Sequence, residues 1–160
     1  MVHDFGKAVV YKQTGKLHGH EDAGIPVVDS FCDRLKIPSE YRKIGKITAK
    51  YHTHIHNIEK LKPKTIYKVI ENTKALTNRY IFDNFLMACA FDANGRGKID
   101  FYPQFWLAVK ALNAVESVDT KEISARMLTS GKSGAAIGEA IKQARIKAIA
   151  EEKKKWVSQN

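Results

Sequence analysis

The six histidines of this chain fall into two groups, and each group has acidic or basic residues beside it. The first group is "VHDFGK…HGHE", with His3, Asp4, Gly6, Lys7, His18, His20 and Glu21; the second is "YHTHIHN", with His52, His54 and His56. Imidazole nitrogen and carboxylate oxygen are compatible ligands for one divalent cation, so an adjacent His-Asp pair can serve the same ion. On a helix, His52 and His56 stand at i and i+4 and share a face, whereas His54 points elsewhere and is expected in solvent. A single clustered histidine usually only packs or solvates. Two groups together, one of them His-Asp-x-Gly-Lys, point instead to a divided metal site.

Two other motifs imitate chemistry without supplying it. "DANGRGKID" (92–100) places Asp92, Asn94, Gly97 and Ile99 as a calcium loop would, but its fifth position is Arg96 and its twelfth is Pro103. Those positions require a ligand and a bidentate Glu, so the segment reads as a Gly-rich helix–helix turn. "SGKSG" (130–134) echoes the end of a P-loop, yet Arg126 occupies the position of the first required Gly and no strand precedes it. The lysines form two further groups, one of Lys60, Lys62, Lys64 and Lys68, the other of Lys132, Lys142, Arg145 and Lys147 beside "GKSGAAIG". Such runs are usually solvated helical faces; with small residues allowing close backbone approach, phosphate contact is the alternative.

The elements that must position these residues read as helices almost throughout. Val27, Val28, Phe31, Cys32 and Leu35 form one apolar stripe, closed by Pro38. Ser39 is expected to cap the next helix, which carries Ile44, Ile47, Tyr51 and Ile55 on one face. Pro63 opens a third helix with Ile66, Val69 and Ile70 buried. "YIFDNFLMACAF" (80–91) is apolar nearly all round and is expected to be the central, most buried helix. Pro103 starts another, with Phe105, Leu107, Val109 and Leu112. After a connection near Val118–Asp119 comes a helix whose stripe is Ile137, Ile141, Ala144 and Ala148, and the terminal "EEKKKWVSQN" is expected to fray. The fold class is all-α: a compact helical bundle (1–118) with a small basic helical tail (119–160).

Composition sets the outer limits. The 160 residues are 44% hydrophobic and 28% charged, enough to bury a core without disulfides, and 27 Lys+Arg against 17 Asp+Glu give a formal charge of +10. That excess favours a polyanionic partner, most often nucleic acid. Cys32 and Cys89 each lie in an apolar helical stretch and read as free buried thiols, which suits a reducing cytoplasm. No apolar run is long enough to span a membrane.

"VHDFGK" followed by "HGHE" resembles the signature of HD-superfamily metal-dependent phosphohydrolases. The likeness extends further: "GHEDAGIPVVDSFCDRLKIPSEYRKIGKITAKYHTHIH", "LKPKTIYKVIE" and "GKSGAAIGEAIKQARIKAIA" resemble, in order, the C-terminal half of bacterial CCA-adding enzymes, the multifunctional tRNA nucleotidyltransferases. Where that family has "CERLRVP", "FHDLIH" and "LQPKT", this chain has "CDRLKIP", "YHTHIH" and "LKPKT". The resemblance implies an HD-type bundle over 1–118, lacking its first helices, and a tRNA-binding unit over 119–160. It implies a divalent metal (magnesium, or a transition metal such as nickel) on His3, Asp4, His20 and His52, with His3, Asp4 and Lys7 catalytic. Lys62, Lys64, Lys132, Lys142 and Arg145 are the expected contacts to a tRNA acceptor arm. The nucleotidyltransferase head, with its ATP-binding residues, is expected to lie outside this sequence, which begins two residues before the His-Asp pair. One departure stands out: Thr53 follows His52 where the family pattern gives Asp, so metal is expected to bind weakly or not at all and the phosphohydrolase centre to be degenerate. The alternatives are a stand-alone HD-type phosphohydrolase and a non-catalytic RNA-binding or assembly module.

Overall fold

A computed structural model describes residues 2–95 and 101–157, and every regular element in it is helical. In chain order these are α1 (Phe5–Thr14), α2 (His20–Arg34), α3 (Ser39–His56), a 3₁₀ turn (Ile58–Lys60), α4 (Pro63–Asn72), α5 (Arg79–Asn94), α6 (Pro103–Glu116), α7 (Thr120–Thr129) and α8 (Ala135–Val157). The all-α expectation is borne out, and no strand occurs among the described residues. Among the described residues no helix is long and apolar enough to cross a membrane.

The helix α3 is the pivot. It packs against α2 on one side and α5 on the other, while α1 lies on α2, and α8 closes over α4, α6 and α7. The apolar stripes expected from the sequence supply the contacts: Tyr51 and Ile55 of α3, Ile66, Val69 and Ile70 of α4, and Phe82, Phe85, Leu86 and Cys89 of α5 form one continuous core with Leu112 and Val115 of α6. A smaller core of Val28, Cys32 and Ala49 sits between α2 and α3. Both cysteines are free and buried, as expected, and burial pushes the Cys89 thiol far up.

Several local expectations are corrected. The helix α3 begins one residue early, because the carbonyl of Pro38 accepts from the Arg42 N–H at 3.2 Å. Ser39 therefore lies inside the first turn, and no side chain caps this helix. The helix α5 buries Ile81, Phe82, Phe85, Leu86 and Cys89, as expected of the central helix, but it is not buried on all sides: Tyr80, Met87 and Phe91 face outward. The run "EEKKKWV" does not fray; α8 continues to Val157 and buries Trp156 in the main core. Lys153 anchors this end by donating to the carbonyls of Glu59 (2.9 Å) and Leu61, and its ammonium lies 5.6 Å from the centre of the Trp156 ring. Residues 158–160 lie outside the described residues. The connection expected at Val118–Asp119 is present, with Asp119 capping α7 by accepting from the N–H groups of Lys121 and Glu122. The P-loop imitation is a turn between α7 and α8.

Candidate metal centre

Four helices bring their ends or faces to one buried point. Asp4 occupies the cap position of α1, yet its side chain caps nothing. Its carboxylate instead accepts from Lys7 at 2.6 Å and faces three imidazoles: His3 Nε2 at 3.4 Å, His52 Nε2 at 3.6 Å and His20 Nε2 at 3.9 Å. His20 is the first residue of α2, and the chain turns into that helix through Gly19 at φ +81, a left-handed conformation that favours glycine. Gly6 sets how closely the first two helices cross. A Cβ there would stand 1.9 Å from the His20 carbonyl oxygen and 2.6 Å from Gly24 N. Only a glycine lets α1 lie this near α2, and that approach carries His3 and Asp4 to His20.

His52 reaches the same point from α3 and is essentially fully buried. The fifth participant is Asp92, in the last turn of α5, whose Oδ1 lies 3.0 Å from His3 Nε2. Two overlapping groups of mutually close ligand atoms result, one from His3, His52 and Asp92, the other from Asp4, His20 and His52. The sequence reading had placed Asp92 in a calcium-loop imitation; it is buried helix, and the rest of that segment, 96–100, lies outside the described residues. No spacing rule links a carboxylate on α5 to histidines far earlier in the chain. The one available signal was a charged residue at the end of a helix that is otherwise apolar there.

The surroundings prepare these atoms to be ligands. His20 Nδ1 lies 2.9 Å from the Leu17 carbonyl and His52 Nδ1 lies 2.9 Å from the Thr48 carbonyl. A carbonyl accepts only, so both Nδ1 atoms carry the proton and both Nε2 lone pairs face the cluster. Burial pulls His3 and His52 below the ordinary histidine range, although Asp4 and Asp92 oppose this at His3. Burial would raise Asp4, but the Lys7 hydrogen bond and the neighbouring imidazoles outweigh it and hold the carboxyl below its usual range. Neutral imidazoles beside ionised carboxylates are the protonation states that bind metal.

The residues fit a cation on a further count. His3 Nδ1, His3 Nε2, Asp4 Oδ1 and His20 Nε2 are buried with no hydrogen-bond partner. Each such atom costs roughly 1–3 kcal/mol when left unsatisfied, and His3 Nε2, Asp4 Oδ1 and His20 Nε2 all belong to the convergence point.

Thr53 stands differently from expectation. Its hydroxyl donates to Glu21 Oε1 at 3.2 Å, and the other oxygen of Glu21 lies 3.4 Å from His20 Nδ1. Thr53 is thus engaged by Glu21 and is not among the His and Asp side chains that converge, which include the carboxylates of Asp4 and Asp92. His54 does point elsewhere, but it is half-buried against Tyr51 rather than solvated, and burial lowers its pKa. Lys7 sits at the rim, paired with Asp4. Lys62, Lys64 and Lys132 are exposed; Lys142 lies 3.9 Å from Glu139; Arg145 is half-buried, with Nε unpartnered. Lys62 immediately precedes α4, Lys64 lies on α4, Lys132 in the α7–α8 turn and Lys142 and Arg145 on α8, and α8 packs on both α4 and α7.

No family model matches the chain, and no solved structure matches it. Curated proteins do. The chain is 36% identical over 152 residues to the multifunctional CCA protein of Teredinibacter turnerae, covering 93% of this chain and 36% of that protein. It is 35% identical over 159 residues to that of Legionella pneumophila (strain Lens), covering 99% and 38%, and 34% identical over 154 residues to that of Polaromonas naphthalenivorans, covering 93% and 36%. The chain thus spans little more than a third of the length of these relatives. Along nearly all of its own length, as its motifs implied, it is a homologue of multifunctional CCA proteins.

Proposed function

We propose that this chain is the HD-type helical part of a CCA-adding tRNA nucleotidyltransferase, holding one divalent cation for phosphomonoester or 2′,3′-cyclic phosphate hydrolysis and contributing to tRNA binding. The observation that carries the first part is the convergence of His3, Asp4, His20, His52 and Asp92 with buried, partnerless ligand atoms. Both groups of ligands use His52, and its one free lone pair serves one ion, so the centre is mononuclear. Three imidazoles with two carboxylates suit a transition ion such as nickel better than magnesium, which prefers oxygen ligands and retained water. When bound, such an ion supplies Lewis acidity toward a phosphoryl group. The protein's own residues do the rest: the Leu17 and Thr48 carbonyls orient His20 and His52, and Lys7 holds Asp4 while offering a positive rim to an incoming phosphate.

The geometry around Thr53 argues for a complete centre rather than a degenerate one, since the cluster draws its second carboxylate from α5. A non-catalytic RNA-binding module would leave the orphaned ligand atoms without a purpose. The exposed lysines and the +10 charge support contact with the phosphates of a tRNA acceptor arm through Lys62, Lys64 and Lys132, with Lys142 and Arg145 beside them.

The test is calorimetric titration of the chelator-treated chain with Ni²⁺ and with Mg²⁺, followed by hydrolysis of a generic phosphomonoester. One equivalent of Ni²⁺ bound far more tightly than Mg²⁺, and lost in His52→Ala, is expected. A native chain that binds neither ion refutes the centre. For the second part, tRNA binding is followed against salt: replacing Lys62, Lys64 and Lys132 by Ala should weaken binding and flatten the salt slope by roughly one unit per lost phosphate contact.

A further inference from the structure

His56 stands at the edge of the cluster, its ring 5.8 Å from that of His52 between centroids, but its two nitrogens are engaged elsewhere. Nε2 lies 2.8 Å from Asp92 Oδ2, and Nδ1 lies 2.7 Å from the hydroxyl of Tyr102. An ionised carboxylate accepts only, so with Asp92 in that form Nε2 carries the proton and donates to it. In the neutral ring Nδ1 then accepts from the Tyr102 O–H. This is the opposite tautomer to His20 and His52, whose Nδ1–H groups donate to backbone carbonyls. Three histidines at one point are therefore set in two tautomers by their partners. Two present a bare Nε2 inward, and the third has spent its Nε2 on a carboxylate.

The consequence falls on Asp92. Its Oδ2 is held by His56, while Oδ1 is turned toward His3 Nε2 at 3.0 Å. The His56 hydrogen bond thus favours one setting of χ2, with Oδ2 occupied and Oδ1 facing His3. Tyr102, at the position preceding α6, adds the next link, tying the start of α6 to α3 and through it to α5. The chain Tyr102–His56–Asp92 joins three helices and ends on one ligand oxygen.

We propose that His56 and Tyr102 are positioning residues that present Asp92 Oδ1 as a single-oxygen ligand to the cation, and that His56 is not itself a ligand. The inference rests on the metal centre proposed above. Partners of this kind typically govern metal affinity by 10–100-fold, and the effect here depends on the N–H donor rather than on the bulk of the ring.

The experiment has two arms on the full 160-residue chain. Long-range ¹H–¹⁵N correlation spectra of the metal-free protein report histidine tautomers directly; His56 is expected as the Nε2–H form, with His20 and His52 as Nδ1–H. A His56 found as Nδ1–H overturns the proposal. In the second arm, Ni²⁺ affinity is measured for the native chain, His56→Ala, His56→Gln and Tyr102→Phe. His56→Ala should bind about 10–100-fold more weakly. His56→Gln, whose amide can donate to Asp92 in place of Nε2, should recover most of that loss. Tyr102→Phe should bind a few-fold more weakly, roughly the effect of one outer link, and should lose the uniform Nε2–H signature of His56. Equal affinity in His56→Ala, or a Gln variant no better than the Ala variant, overturns the relay while leaving the centre standing. A native chain that binds no Ni²⁺ overturns the centre, and the relay with it.

Discussion

Replacing Gly6 by Ala should damage the metal centre more than it damages the fold. The added Cβ would fall 1.9 Å from the His20 carbonyl oxygen, 2.6 Å from Gly24 N and 2.9 Å from Gly24 Cα, all of them backbone atoms. No side chain can rotate out of the way. To move the worst contact out to the 3.4 Å of ordinary van der Waals packing, α1 must retreat from α2 by about 1.5 Å. Overpacking of this kind costs up to about 3 kcal/mol, against which Ala regains roughly 1 kcal/mol of helix propensity. The net of about 2 kcal/mol corresponds to a fall of roughly 4–8 °C in Tm for a chain of this size. The same retreat separates His3 and Asp4, at the start of α1, from His20, and the Asp4–His20 span, now 3.9 Å, opens beyond what one ion can bridge. Ni²⁺ affinity should drop by at least about tenfold.

Gly24→Ala is the control, because it adds the same methyl group on the facing helix. Its Cβ would meet nothing nearer than Gly6 N at 3.4 Å and Ala49 Cβ at 3.7 Å. Gly24→Ala should therefore be neutral or stabilising by up to about 1 kcal/mol, with Ni²⁺ affinity retained. Thermal melts followed by circular dichroism and calorimetric titration read both quantities. If Gly6→Ala melts and binds as the native chain does, or if the two variants behave alike, the argument from the helix crossing is wrong.

Thr53→Asp should not tighten metal binding, since the hydroxyl it replaces is engaged by Glu21 Oε1 at 3.2 Å; a second carboxylate beside Glu21 adds repulsion, and a clear gain in Ni²⁺ affinity would show position 53 to be a ligand position. The metal-free chain should lose stability in mild acid. His3 and His52 have folded pKa values pushed below 6.5 by burial, so the unfolded chain takes up their protons first; the stabilisation is complete above pH 6.5 and falls away as the pH drops through the lowered folded values, with Asp4 adding the same sign at lower pH. Urea midpoints at about pH 7.5 and about pH 5.5 test this, and a higher midpoint in acid would contradict it. Trp156→Ala should cost roughly 3 kcal/mol, because its ring lies in the main core beneath Lys153; an unchanged urea midpoint would restore the frayed tail that the sequence suggested.

Where the sequence was legible, the relevant chemistry was local. The pair His3-Asp4 is covalently adjacent, His52 and His56 share a helix face by simple periodicity, and the stripes of α3, α4 and α6 follow a single helical period. The ends were less legible: "EEKKKWV" reads as a solvated run until Trp156 is found beneath Lys153, and that contact depends on carbonyls at Glu59 and Leu61 on a distant segment. The cap of α3 shifted by a residue for a purely backbone reason.

Thr53 shows why adjacency can also mislead. On a helix the residue after a ligand is rotated about 100° around the axis from it, so nothing obliges position 53 to face the ion that His52 faces. In this chain it faces α2, where Glu21 receives it. The second carboxylate of the candidate site instead comes from Asp92, whose place in a Gly-rich segment after an apolar run suggests only a turn. Its assignment required knowing that α5 lies against α3, a long-range packing fact carried by Phe82, Phe85 and Leu86 rather than by any polar residue. The core thus sets the candidate site: the hydrophobic stripe of α5 fixes the register at which its last turn delivers an acid to the histidines. Once that acid is buried, it needs a fixed donor as well as a cation. His56, one turn beyond His52 on the same face, is the residue already in position to supply the donor.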